Sequence, residues 1–214
     1  MRSERTEAGT TAGLHGPAPS FIETSRRAQL IQAAVVTVNE VGYHRASLAE
    51  IARRAHIVKS AVAYYFASKE GLLLDVVQTV FGALGERVLA AVDGIADPVA
   101  RLRAYAEAYV AHVDEERHAI AAAVEIVVSH RTADGTPLYL VEDEEESALL
   151  RSILREGIDQ GAFAAMPLDV ATGLAESMLD RAITLVQRDP EADLSTLRAH
   201  IVPFLFRAVG APDG

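Results

Sequence analysis

The sequence predicts an all-α fold with a three-helix head and a C-terminal helical bundle. Half of the 214 residues are apolar, which is enough to bury a core. Apolar side chains recur at the three- and four-residue spacing of helices from about residue 24 to about residue 209. Two short helices near residues 48–66 are joined by about three residues, which is typical of a helix-turn-helix. We expect an arm at 1–20, the head at 21–70 and the body at 71–214.

Residues 1–20 are rich in Gly, Thr, Ala and Pro and show no periodicity, so we expect a disordered arm. Arg2 and Arg5 are suited to contact a minor groove, but Glu4 and Glu7 cancel their charge. A mobile tail is therefore the favoured interpretation of this arm.

The first helix of the head is expected over about residues 24–41, closed by Gly42 as a left-handed C-cap. The second helix starts with Ser47 and Glu50, the Ser-x-x-Glu pattern of a capping box. One apolar stripe follows at positions i, i+3, i+4 and i+7, namely Leu48, Ile51, Ala52 and Ala55. The pattern breaks at 56–57, and a third helix is predicted over about residues 58–66.

The third helix carries the residues most suited to contact nucleic acid. Tyr64, Tyr65 and Phe66 are consecutive and cover about 200° of the helix, so at least one ring faces outward. The only two lysines of the chain, Lys59 and Lys69, flank this helix. Small and polar groups beside them suit the approach to a base edge or a phosphate. The predicted DNA-binding residues are Ser47, Lys59, Ser60, Ala61, Ala63, Tyr64, Tyr65 and Lys69.

The run from about residue 25 to residue 74 resembles the DNA-binding domain of the tetracycline-repressor (TetR) family. The matching segments are SLAEIA at 47–52, KSAV at 59–62 and YYFASKE at 64–70, together about a quarter of the chain with their surroundings. His56 departs from the family's usual Gly in the turn, Val58 from its Ser or Thr cap, and Ala67 from its Pro. The resemblance implies a homodimeric DNA-binding regulator of transcription, most often a repressor.

Charge is distributed unevenly along the chain, whose net charge is −10. Residues 21–70 carry seven basic and four acidic side chains, whereas residues 71–214 carry eleven basic and twenty-four acidic ones. A basic head on an acidic body suits a protein that presents only its head to a duplex.

The body is predicted to be helical throughout. A fourth helix runs from 68–69 towards residue 92 and connects head and body, and turn signals follow it at 93–94 and 97–98. Further helices are expected from residue 98, around 120–128, from 142 to about 160, over 168–187 and over 194–209, where Pro203 should kink the last one.

An effector pocket is expected in this body. Tyr105, Tyr109 and His112 place polar tips on one side of an apolar helix, and Glu125 interrupts the most apolar one. A buried carboxylate needs a partner or a proton. The candidate partners of Glu125 within the chain are Arg101, Arg103, Arg181 or a tyrosine hydroxyl. If none of them pairs with it, a cationic or hydrogen-bonding effector could. Met178 is predicted to line the same pocket. The alternative is that these residues satisfy one another in the core, or that Glu125 faces an interface.

The last two helices have wide apolar faces, as a homodimeric four-helix interface requires. In the family that this chain resembles, the corresponding helices form the dimer. The predicted interface residues are Leu174, Met178, Leu185, Leu197, Ile201, Phe204 and Leu205.

Several classes of protein are disfavoured. The chain has no Cys, no His pair at i, i+4, no Gly-rich phosphate loop and no GxSxG elbow, so we expect no metal, no cofactor and no enzyme. No apolar run approaches the ~20 residues of a membrane span, and the start lacks the apolar core of a signal peptide, so a cytoplasmic location is expected.

Two functions remain open from the sequence. The leading one is a sequence-specific DNA-binding transcriptional regulator, a repressor that a small-molecule effector releases from a palindromic operator. The alternative is a helical small-molecule-binding protein whose head is mainly structural. Steep weakening of DNA binding by salt is expected of the first alone.

Overall fold

The computed structural model describes residues 20–141 and 144–211, so the predicted arm lies outside it except for Ser20. Within that part of the chain the regular structure is nine α-helices and one 3-10 turn, as the helical periodicity predicted. The helices are α1 Phe21–Val41, α2 Leu48–Arg54, α3 Lys59–Tyr65, α4 Lys69–Val92, α5 Pro98–Glu115, α6 Arg117–Ser129, α7 Glu144–Asp159, α8 Leu168–Arg188 and α9 Ser195–Ala208. The 3-10 turn is Leu138–Leu140.

Helix α1 begins three residues earlier than the sequence pattern predicted, because a capping box starts it. Ser20 Oγ accepts a hydrogen bond from the backbone N–H of Glu23 at 3.3 Å, and Glu23 Oε2 accepts one from the backbone N–H of Ser20 at 2.8 Å. Each side chain thus covers one of the free N–H groups at the helix start. The predicted C-cap is Gly42, which has a positive φ of 79°.

The capping box predicted at the start of α2 forms only in half. Ser47 Oγ accepts a hydrogen bond from the N–H of Glu50 at 3.2 Å, as expected. The Glu50 carboxylate does not return to Ser47 but binds the guanidinium groups of Arg53 and Arg54. These hydrogen bonds, that of Arg53 first, lower the pKa of Glu50 to about 2. Two cations within one turn are stronger partners for a carboxylate than one backbone N–H.

The turn between α2 and α3 contains His56, which has a φ of 52°. It is the one residue other than Gly with a positive φ in the described chain, in agreement with the Gly expected there from the family resemblance. Val58 precedes α3 and gives it no side-chain cap, as its hydrocarbon side chain predicted.

Head and body share one continuous core, and the buried side of α4 belongs to it in both parts. Its buried side includes Leu72 and Val76 near the head and Leu84 and Val88 near the body. Helix α6 is central, as predicted: it packs against α1, α4 and α8, and its apolar residues Ile120, Ala122, Ala123 and Ile126 are fully buried. The boundary at residue 70 therefore falls at the start of a helix that belongs to both parts.

The predicted dimer residues of α8 and α9 divide into three groups by their exposure. Ile201 and Leu205 are 4% and 0% exposed within this one chain, so they already pack in its core. Helix α9 turns them inward onto the core, and Pro203 stands on its outer side without ending the helix. Leu174 and Phe204 remain 58% and 56% exposed. Met178, Leu185 and Leu197 are half-buried against the core.

Replacement of His56 tests the backbone strain in the helix-turn-helix. A left-handed conformation disfavours a side chain with a Cβ, so His56→Gly should be more stable than His56→Ala by about 0.5–1 kcal/mol in urea unfolding followed by circular dichroism. His44 is an exposed histidine outside the positive-φ region, so at that position Ala should be the more stable replacement. Equal stability of the two His56 variants would contradict the assignment.

Candidate nucleic-acid interface

The outward face of α3 brings together most of the predicted DNA-binding residues. Lys59, Ser60, Ala63 and Tyr64 are exposed, whereas Val62 is buried and fixes the opposite face on the core. Ala61 and Tyr65 are half-buried at the edge of this face, and Ser47 is exposed at the start of α2. Lys59 lies one turn before Ala63, and Ser60 one turn before Tyr64, so these four residues form a single strip along α3. We call Lys59, Ser60, Ala63 and Tyr64 the recognition strip.

The three aromatic residues at the end of α3 have three different environments. Tyr64 is 72% exposed, Tyr65 is half-buried, and Phe66 is 4% exposed beneath the Arg27 guanidinium, which stands 4.7 Å from its ring centroid. The expectation that at least one ring faces outward is confirmed. The rings of Tyr64 and Tyr65 meet edge to face, with centroids 5.1 Å apart.

The hydroxyl of Tyr64 has a partner that the sequence did not suggest. It donates a hydrogen bond to Glu23 Oε1 at 2.7 Å, across 41 residues of sequence. This hydrogen bond is the main cause that lowers the pKa of Glu23 and raises the pKa of Tyr64. At neutral pH the pair is therefore an ionised carboxylate and a protonated phenol.

Lys69 lies in the first turn of α4, as predicted, and its ammonium group contacts the turn between α1 and α2. It donates to the carbonyl oxygen of Tyr43 at 2.8 Å and to that of His44 at 3.4 Å. It also stands 4.8 Å from the centroid of the Tyr43 ring. These contacts position Lys69 within the head, and its predicted contact with DNA stays a prediction.

The positive charge of α2 is partly neutralised by carboxylates. Arg54 forms ion pairs with Glu40 and Glu50, and Arg53 pairs with Glu50 but remains 68% exposed. Lys59 makes no ion pair within the described residues. Lys59, the one cation of the recognition strip, is therefore available to a duplex.

Tyr43 joins the head to α6 and was missed in the sequence. Its hydroxyl oxygen lies 2.8 Å from Nδ1 of His130 in a buried hydrogen bond, and its backbone N–H donates to Glu125 Oε1 at 3.4 Å. Burial raises the pKa of the Tyr43 hydroxyl, with a smaller effect of Glu70. No periodic pattern marks this residue, because it lies in the short turn after α1.

Glu125 is half-buried and faces the head rather than an arginine of the body. Besides Tyr43, it accepts a hydrogen bond from Ser129 Oγ at 3.3 Å. Of the arginines considered as its partners, Arg101 pairs with Glu156 and Arg103 lies over the Phe206 ring. Arg181 is exposed on α8. None of these three candidate partners bonds to Glu125 in the structure, because α6 turns its carboxylate towards the turn after α1.

The other predicted effector residues lie inside the body. Tyr105, Tyr109 and His112 are 7%, 9% and 9% exposed, and the two tyrosine rings stack with centroids 6.3 Å apart. The Tyr109 hydroxyl donates to Asp180 Oδ1 at 2.6 Å.

Asp180 on α8 was not singled out in the sequence. Loss of hydration raises the pKa of its carboxyl, the Tyr109 hydrogen bond opposes this rise, and Glu176 adds to it. Met178 is half-buried on the same helix.

Two further properties concern the described residues as a whole. Across 20–141 and 144–211, no three His, Asp or Glu side chains gather in a way that would hold a metal ion. In the same ranges no helix has the length and apolar character needed to cross a bilayer.

Comparison with known proteins finds relatives of the head. Residues 30–76 match the family described as bacterial regulatory proteins, tetR family. The HTH-type transcriptional regulator BetI of Yersinia pestis (strain Pestoides F) is 48% identical over 85 residues, which are 38% of this chain and 42% of BetI. The chain thus spans less than half the length of the curated relatives that it matches.

Two solved structures extend the similarity of fold to the body. The fatty acid degradation regulator FadR from Bacillus halodurans superimposes with a TM-score of 0.73 and 22% identity, covering 90% of this chain and 96% of FadR. FadR from Bacillus subtilis, in complex with stearoyl-CoA, gives a TM-score of 0.70 and 22% identity, covering 83% of this chain and 96% of that one. Residues 30–76 thus match the tetR family, and the chain as a whole shares its fold with these two FadR structures.

Proposed function

We propose that this protein is a sequence-specific DNA-binding regulator of transcription, a repressor that acts as a homodimer and is released by a small-molecule effector. The observation that carries this proposal is the recognition strip, exposed on α3 in a head that matches the tetR family. TetR regulators bind DNA and small-molecule effectors, typically as dimers. The strip of each subunit would enter one of two major grooves about 34–36 Å apart, which requires a palindromic operator.

The dimer is proposed to form through the exposed parts of α8 and α9. Leu174 and Phe204 each leave more than half of their surface to solvent, and Val170 is 51% exposed one turn before Leu174. Large apolar side chains grouped on two terminal helices are typical of an interface between copies of a chain. This face replaces the predicted seam, because Ile201 and Leu205 already serve the core of one chain.

The effector is proposed to bind in the body among the predicted residues Tyr105, Tyr109, His112 and Met178. They lie on α5 and α8, which pack on each other and on the remaining helices of the body. Fatty-acid chemistry is one candidate, supported by the stearoyl-CoA bound to the B. subtilis FadR of similar fold. An effector that favours one of two head positions by ~1–3 kcal/mol would change operator occupancy 5–150-fold.

The signal is proposed to reach the head by two routes. Helix α4 runs from the head into the body, as the sequence predicted. Helix α6 provides the second route, because its Glu125 and the adjacent His130 hold Tyr43, and because Asn39 of α1 donates to the carbonyl oxygen of His118 at 2.8 Å. A shift of α6 would therefore move the turn between α1 and α2 directly.

Selection from random duplexes, followed by titration in salt, tests the proposed function. The protein should select a motif with two inverted half-sites, and its affinity should fall steeply with salt as phosphates release counterions. Lys59→Ala should lower the salt slope by about one for each phosphate that the lysine neutralises. Arg188, an exposed cation at the end of α8, is the control and should leave the slope unchanged when replaced by Ala. Failure to select any motif, with binding that depends only on salt, would refute the proposal.

Charges placed on the proposed dimer face test the assembly. Leu174→Glu and Phe204→Glu should produce folded monomers, because a buried carboxylate at a subunit interface costs several kcal/mol. Leu89 is 57% exposed on α4, so Leu89→Glu is the matched control and should stay dimeric. Sedimentation equilibrium gives the mass and circular dichroism the helix content. Dimers of unchanged stability in both α8 and α9 variants would contradict this face.

A further inference from the structure

The end of the recognition strip combines a phenol with a carboxylate from another helix. Tyr64 donates its single hydroxyl hydrogen to Glu23 at 2.7 Å, while the ring itself remains 72% exposed. A phenol has one hydrogen to donate and lone pairs that accept. With the hydrogen directed to Glu23, the part of the hydroxyl that faces solvent is the acceptor.

This arrangement does not suit a phosphate contact for Tyr64. A phosphate oxygen also accepts hydrogen bonds, so it needs the hydrogen that Glu23 already holds. It would also bring a second negative charge close to the Glu23 carboxylate, across a single hydroxyl, and the two charges would repel. Binding a phosphate would therefore require the pair to break.

The same arrangement suits a hydrogen-bond donor on the DNA. In the major groove only two base edges present donors, the N6 amine of adenine and the N4 amine of cytosine. An amine that donates to the Tyr64 oxygen would extend a chain of hydrogen bonds that ends on the Glu23 anion. Such chains polarise their members and strengthen each bond.

The position of Tyr64 allows this contact. It lies on the same face as Ser60, one turn earlier, and therefore belongs to the side of α3 that faces a groove. Glu23 is itself held in place, because its second carboxylate oxygen accepts the backbone N–H of Ser20 at 2.8 Å in the capping box of α1. The capping box thus fixes the acceptor that orients the phenol.

We propose that Glu23 and Tyr64 form a base-reading pair, in which Glu23 holds the hydroxyl hydrogen and Tyr64 accepts a hydrogen bond from the exocyclic amine of an adenine or cytosine. This proposal rests on the proposed DNA-binding function and names one of its specificity determinants. It assigns Tyr64, predicted as a DNA-binding residue, to a base rather than to a phosphate.

Selected motifs provide the test, because a phosphate contact leaves them unchanged. Tyr64→Phe should lose its base preference at one position of each half-site and keep the others. Its affinity for the wild-type motif should fall about 3–10-fold per half-site, the value of one hydrogen bond, while its affinity for random duplex stays within about twofold. Tyr139→Phe removes a hydroxyl from another exposed tyrosine, which is 55% exposed, and should change neither value.

Glu23→Ala keeps the Tyr64 hydroxyl but removes the acceptor that orients its hydrogen. The freed hydrogen should move the preference at the same position from an amine-bearing base towards guanine or thymine, whose major-groove edges carry acceptor oxygens. In the background of Tyr64→Phe, Glu23→Ala should have no further effect on the motif. Ser20→Ala removes the Oγ acceptor of the capping box but keeps the backbone N–H that holds the Glu23 carboxylate, so it controls for lost stability and should select the wild-type motif.

Three outcomes are decisive. Equal weakening of motif and random duplex by Tyr64→Phe, with an unchanged motif, would assign Tyr64 to a phosphate and overturn the proposal. A wild-type motif selected by Glu23→Ala would restrict Glu23 to its capping role and also overturn it. Failure of the wild-type protein to select any motif would instead refute the DNA-binding function itself.

Discussion

Beside the core that head and body share, Tyr43 joins the two parts by several polar contacts. Its hydroxyl bonds to His130, its backbone N–H bonds to Glu125, and its carbonyl oxygen and ring both face the ammonium group of Lys69. A buried hydrogen bond contributes only about 1 kcal/mol net, but an unmade one costs the desolvation of both groups. We therefore propose that Tyr43, through its contacts with α6, sets the orientation of the head within the limits that the shared core leaves.

This connection changes how the body would act on the head. A head attached by α4 alone would behave as a lever whose angle follows a single helix. Here α4 and α6 both reach the head, and the core between them is continuous. In the proposed regulator, an effector that moves α6 would act on the turn after α1, while α4 would act on α1, against which it packs.

Several basic side chains of the head are paired with carboxylates, so the net charge of the head overstates the number of cations available to a partner. The excess of basic residues in 21–70 first suggested a generally attractive surface. In the structure Arg27 pairs with Asp75, and Arg54 with Glu40 and Glu50, so these guanidinium groups stabilise the head itself. Lys59 remains exposed beside the hydroxyls of the recognition strip. Affinity from phosphates and selectivity from bases are thus expected to come from different parts of one short helix.

The sequence predicted features that depend on spacing along the chain, and missed those that depend on contacts between distant segments. Helical periodicity identified the helices and the central position of α6, and the family resemblance anticipated the turn at His56. The Ser-x-x-Glu spacing that predicts a capping box at Ser47 also occurs at Ser20, where the box forms in full. Tyr43 lies 82 residues from its partner Glu125, and Glu23 lies 41 residues from its partner Tyr64, so no local pattern indicates these two contacts. For Ile201, an apolar stripe alone does not distinguish a subunit interface from the core of one chain.

The most direct test of the role of Tyr43 is the distance between the two heads in the proposed dimer. The chain has no cysteine, so Gln32→Cys, at an exposed position of α1, gives one spin label per subunit. Double electron–electron resonance should give a single narrow distance for the labelled protein. It should give a clearly broader distribution when Tyr43→Phe is added, because this substitution removes the hydrogen bond to His130. An equally narrow distribution with Tyr43→Phe would contradict the claim that this residue sets the orientation of the head.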